Sequence, residues 1–134
     1  MTGSGKSPQD IQQRTFRFGV RVVKMVDRMP RTLAAEVLAC QLVRAGLSVG
    51  ANMQEADGGE TKRDFIHKMS IAYKEARESR YWLAIIQETV MPDEAEIKLL
   101  WTEADEMVRI LFAILRKSRL SIKRPLHAQT KPIR

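Results

Sequence analysis

Residues 61–90 read TKRDFIHKMSIAYKEARESRYWLAIIQETV. Within them Phe65, Met69, Ala72, Ala76, Ser79, Leu83, Ile86 and Val90 recur four and three apart. That repeat draws one apolar stripe down an α-helix, here for about four heptads. Thr61 is placed to cap the helix, with Asp64 three residues later as a capping-box-like acid. Downstream, Pro92 followed by Asp93, Glu94 and Glu96 marks a new helix start, because acids favour the positive end of the helix dipole. In that fourth helix Ile97, Trp101, Ala104, Val108, Leu111 and Leu115 form the stripe, and Leu100, Met107 and Ile114 add a flanking row.

The same reading extends upstream. Ser7 is placed as an N-cap, with Pro8 at the first helical position and Asp10 in the first turn. A first helix is expected over residues 8–28, ended by Pro30. Its stripe is Ile11, Thr15, Phe18, Val22, Met25 and Met29, widened by Phe16, Val20, Val23 and Val26. Thr32 caps a second helix reaching about residue 56, where Asp57, Gly58 and Gly59 end it. This helix has two apolar rows: Leu38, Leu42, Ala45 and Val49, and Leu33, Val37, Cys40, Leu47 and Ala51. Gly46 and Gly50 lie inside it, each costing about 1 kcal/mol of helix propensity against Ala. A close approach of another backbone would explain them.

Four helices with short links predict an all-α, antiparallel up-and-down four-helix bundle over residues 8–119. Residues 1–7 are expected to be a disordered N-terminus, and 120–134, with Pro125 and Pro132, a flexible basic tail. The extra apolar rows on helices two and four exceed what one small bundle buries, which predicts a homo-oligomer.

The 134 residues carry a net charge of +7, concentrated toward the two ends of the chain. A basic balance suits a polyanionic partner. No apolar run of about 18 residues is read, so no membrane span is expected. The opening MTGSGKSPQD lacks the apolar stretch of a secretory signal, and Cys40 is the one cysteine. A reduced, cytoplasmic setting follows as the expectation, with Cys40 a buried inert thiol.

Two polar patterns are candidates for function. Arg14, Arg17, Arg21, Lys24, Arg28 and Arg31 are spaced 3, 4, 3, 4 and 3 apart on helix one. They fill an arc of about 100° and could track a phosphate backbone. An acidic protein surface or a plain solvated face are the alternatives. On helix two, Arg44, Ser48, Asn52 and Glu55 share one face, and helix three offers Lys68, Glu75, Glu78 and Trp82 at similar spacing. Charges between apolar rows need partners, so these are read as a buried polar network setting helix register or subunit contacts, with a ligand or metal site as the alternative.

Other patterns fail. Gly3-Ser4-Gly5-Lys6-Ser7 lacks the earlier glycine and the preceding strand of a phosphate-binding loop. Asp64 and His67 are three apart, but only two histidines occur, too few for a di-iron bundle. Tyr73, Tyr81 and Trp82 are read as core or interface residues. No catalytic set, metal site or cofactor loop is found, and a non-enzymatic role is expected.

The stretch 41–52, QLVRAGLSVGAN, followed by Glu55-Ala56, resembles the four-helix bundle family first named for open reading frames in intervening sequences of bacterial large-subunit ribosomal RNA genes. So does 64–76, DFIHKMSIAYKEA, with Glu78-Ser79-Arg80-Tyr81-Trp82-Leu83, and Pro30 stands where that family has a proline after its first helix. The resemblance covers residues 10–118, leaving the tail outside. It implies a four-helix protomer and, as in related proteins, a pentameric ring with a basic surface. Similar bundles are accessory proteins of diversity-generating retroelements that bind a reverse transcriptase and nucleic acid. The partners so implied are other copies of the chain, RNA or DNA, and a reverse transcriptase or other protein.

Overall fold

The structure, a computed structural model, describes the backbone of residues 8–130 and the side chains of 10–122. The expected disordered N-terminus, the Ser7 cap and the end of the tail lie outside the described residues. Four helices follow one another: α1 (Pro8–Val26), α2 (Leu33–Asp57), α3 (Lys62–Glu88) and α4 (Ala95–Thr130), with no strand among the described residues. Thr32 and Thr61 cap α2 and α3, their hydroxyls accepting from the backbone N–H of Ala35 at 3.2 Å and of Asp64 at 3.0 Å. Each satisfies a first-turn donor that has no partner within the helix.

The helices pack in cyclic order, α1 on α2, α2 on α3, α3 on α4 and α4 on α1. Neighbours run antiparallel. Gly46 and Gly50 of α2 lie against Val22 and Thr15 of α1. Lys68 of α3 reaches Glu55 while Glu78 reaches Arg44. Arg80 of α3 meets Asp105 of α4, while Tyr73 meets Phe112. The glycines therefore have the packing role their spacing implied.

The α1 stripe, Ile11, Thr15, Phe18, Val22, Met25 and Met29, is buried throughout. On α3 all of Met69, Ala72, Ala76, Ser79, Leu83 and Ile86 are buried, flanked by half-buried Phe65 and Val90. Full burial of a Leu, Ile, Met or Phe side chain contributes about 1.5–3 kcal/mol, so these stripes carry much of the fold.

Four expectations change. The α4 flanking row is not surplus: Leu100 and Met107 are fully buried and Ile114 is half-buried. A helix touching both α1 and α3 turns a wider arc inward than one stripe covers. The second α2 row does stand outside, with Leu33 at 81% and Val37 at 53% exposure, and Cys40 in that row is exposed, not buried. By length and composition, α2 is apolar enough to cross a membrane, contrary to the sequence expectation, although one flank packs on α1 and the other on α3. Finally, α4 continues to Thr130, past the boundary at 119 where a flexible tail was expected.

Candidate nucleic-acid interface

The six cations of the α1 stripe divide into two rows, each seven residues apart. Arg14, Arg21 and Arg28 face α4. Arg14 is bidentate on Glu103, with Nε donating at 2.9 Å and Nη2 at 2.8 Å, and it also donates to Glu106. Arg21 Nε donates to Glu96 at 2.8 Å, and Arg28 Nη2 to Glu94 at 2.8 Å. The hydrogen bond to Glu103 raises the Arg14 pKa further above its already high value. These arginines are rungs between antiparallel helices. A bidentate pair fixes geometry as well as charge.

Arg17, Lys24 and Arg31 form the other row. All three are exposed, and none takes part in an ion pair among the described residues. The Arg17 guanidinium lies 5.9 Å from the Phe16 ring centroid. The surface that sequence treats as one cationic face is thus half interhelical and half free.

The polar residues of α2 and α3 assemble in part. Arg44 Nη2 donates to Glu78 at 2.7 Å and to Gln41 at 3.2 Å, and Nη1 lies 3.6 Å from Glu75 Oε1. The Glu78 hydrogen bond raises the Arg44 pKa. Lys68 sits 3.9 Å from Glu55. Asn52 bonds only within its own helix, donating to the Ser48 carbonyl at 2.9 Å and to Ser48 Oγ at 3.0 Å. Of the seven, only Glu75 is buried; Ser48, Asn52, Lys68 and Glu78 are half-buried, and Arg44 and Glu55 are exposed. The expected buried network is therefore a seam along the α2–α3 edge. Its row lies at the margin of the core, so the long side chains reach water. Among the described residues no cluster of His, Cys, Asp and Glu is placed to hold a metal ion.

One pattern went unread in the sequence. Arg63, His67, Ser70, Lys74, Arg77 and Tyr81 are spaced 4, 3, 4, 3 and 4 apart, opposite the α3 core stripe. All but half-buried Ser70 are exposed, and no acid interrupts the row. Its cations follow the same 4-3 alternation as those of α1, a signal present in the sequence itself.

An all-α chain of four antiparallel helices, laced by interhelical ion pairs and carrying unpaired cation rows outside, is a helical bundle whose distinctive chemistry lies on its surface. It belongs to the 23S rRNA-intervening sequence protein family, whose pattern spans residues 8–113. It is similar to a protein of unknown function from the S23 ribosomal protein family of Bacteroides thetaiotaomicron, known from a crystal structure. That similarity has 28% identity and a TM-score of 0.75, covering 81% of this chain and 97% of that one. No curated protein matches the chain.

Proposed function

We propose that the protein is a non-enzymatic, self-assembling scaffold that binds nucleic acid, with Arg17, Lys24 and Arg31 as phosphate contacts on α1. The observation that carries this reading is the division of the stripe. Cations already holding Glu94, Glu96 and Glu103 are engaged, whereas the other row has charge to spare. Such contacts give affinity without sequence preference.

Assembly is supported by the exposed apolar side chains that run from α1 onto α2. Phe16 is 62% exposed, and Val23 on α1 and Leu33, Val37 and Leu47 on α2 are exposed as well. A groove of about 320 Å³ lies between the helices, lined by Gln12, Phe16, Val20, Val23, Leu47 and Ala51. A pentameric ring is the assembly proposed.

The test is oligonucleotide binding at several salt concentrations. Duplex affinity should fall with salt, and Arg17→Glu with Lys24→Glu should lower the log–log slope by about 2. Arg14→Gln should leave that slope alone. An unchanged slope in the double variant would refute the α1 contact. The same groove supports a second reading, an adaptor holding a protein such as a reverse transcriptase. It predicts a stoichiometric protein partner and no salt-dependent nucleic-acid binding.

A further inference from the structure

The α3 cation row has neighbours on α4 that change its chemistry. Arg116 and Arg119 are exposed there, and like Arg63 and Lys74 they take part in no ion pair among the described residues. Arg63, His67 and Arg119 line one hollow of about 490 Å³, and Arg119 also borders Phe112 and Arg116 in the next. Further along, Lys74, Arg77, Tyr81 and Trp101 line a third hollow of about 480 Å³. Aromatic rings alternate with these cations. Arg77 lies 5.7 Å over the Tyr73 ring, and Tyr73 packs 6.0 Å from Phe112. Tyr81 is 59% and Phe112 51% exposed, so both keep a free ring surface. Glu78, which also lines the third hollow, is held by Arg44, and Asp105 by Arg80 and Arg109.

We infer that the α3–α4 face is a contact for single-stranded nucleic acid, separate from the α1 row. It rests on the nucleic-acid reading above. The argument is one of complementarity. A free strand offers phosphates to a cation track and unpaired base faces to aromatic rings, and stacking of this kind accepts any base. A duplex hides its base faces and offers only phosphates. A protein partner would have to bring acids to Arg63, Lys74, Arg77, Arg116 and Arg119 together.

Fluorescence anisotropy with a labelled single strand and the duplex of the same sequence tests this on the full chain. Tyr81→Ala and Phe112→Ala, both at half-exposed rings, should weaken single-strand binding about fivefold to a hundredfold each and leave duplex binding within twofold. Ultraviolet cross-linking of the single strand should place adducts on α3 or α4. Arg77→Glu with Arg119→Glu keeps the test open should an aromatic variant fold poorly, and should lower single-strand affinity by tenfold or more. Unchanged single-strand affinity in these variants, with duplex binding intact, overturns this inference and leaves the α1 contact standing. Equal losses for both forms overturn the single-strand preference. A wild-type protein that binds neither form overturns both readings.

Discussion

A methyl group added at Gly50 would lie 3.3 Å from the carbonyl oxygen of Thr15, which belongs to the α1 backbone and cannot rotate away. One added at Gly19 would meet the Cδ2 of Leu47 at 3.1 Å, the tip of a side chain that is 42% exposed and free to turn. Both changes gain about 1 kcal/mol of helix propensity. The outcomes should still have opposite signs. Gly19→Ala should raise stability by up to about 1 kcal/mol, whereas Gly50→Ala must push α1 outward and should lose about 1 kcal/mol net. Thermal or urea unfolding of the two variants measures this directly. A Gly50→Ala protein as stable as its parent would show that α1 can be displaced without cost. Asp105 permits a second test at this scale. Its carboxyl is held below the ordinary value by the hydrogen bond from Arg80, with Arg109 adding to it. The folded pKa is lower than the unfolded one, so its contribution is complete above the unfolded value and is lost as pH falls through the folded value. The melting temperature should therefore drop below about pH 4. Asp105→Asn should make that drop shallower, as a series of melts across the acid range would reveal.

Between elements, the α1–α4 rungs should behave as structure rather than as ligand contacts. Arg14→Ala leaves Glu103, whose side chain is 20% exposed, without its bidentate partner. A loss of about 1–2 kcal/mol is expected, against less than about 0.5 kcal/mol for Lys24→Ala at the free surface. Denaturant midpoints with unchanged slopes would check both, and equal effects would mean the two rows are not distinct. At this scale the faces of single helices are legible in the sequence and the pairing between helices is not. Periodicity identified every buried residue of the α1 stripe, because a face repeats within its own helix. The caps at Thr32 and Thr61 were legible for the same local reason. The acids Glu94 and Glu96 are legible only as helix-start charges, and no spacing singles out Glu103. Their pairing with arginines more than sixty residues away is a tertiary fact. Likewise, spacing showed that Leu100 and Met107 share a row, but not that α4 buries this row as well. Spacing groups the polar seam around Arg44, Glu75 and Glu78 but does not give its depth, since long side chains at a core margin extend toward water.

For the whole molecule, association turns on one exposed row of α2. Leu33, Val37, Cys40, Arg44, Leu47 and Ala51 are spaced 4, 3, 4, 3 and 4 apart, and all are exposed in the single chain. Arg44 is drawn back toward Glu75 and Glu78, which leaves the apolar members to define the face. Apolar area of this extent on a lone bundle favours association, and Cys40 stands in the middle of it as a built-in probe. If copies of the chain pack through this row, Cys40 is covered in the assembly and open in the free chain. Its reaction with a maleimide should then be slow at high protein concentration and accelerate on dilution. Leu33→Asp with Val37→Asp places charges where the neighbouring copy must sit, and a buried unpaired carboxylate costs several kcal/mol. That variant should sediment as a single chain, stay folded because both positions are exposed, and react rapidly at Cys40 at every concentration. Rapid, concentration-independent labelling of a wild-type oligomer would instead place the interface elsewhere, and the apolar groove beside Phe16 and Val23 would then be the face to alter next.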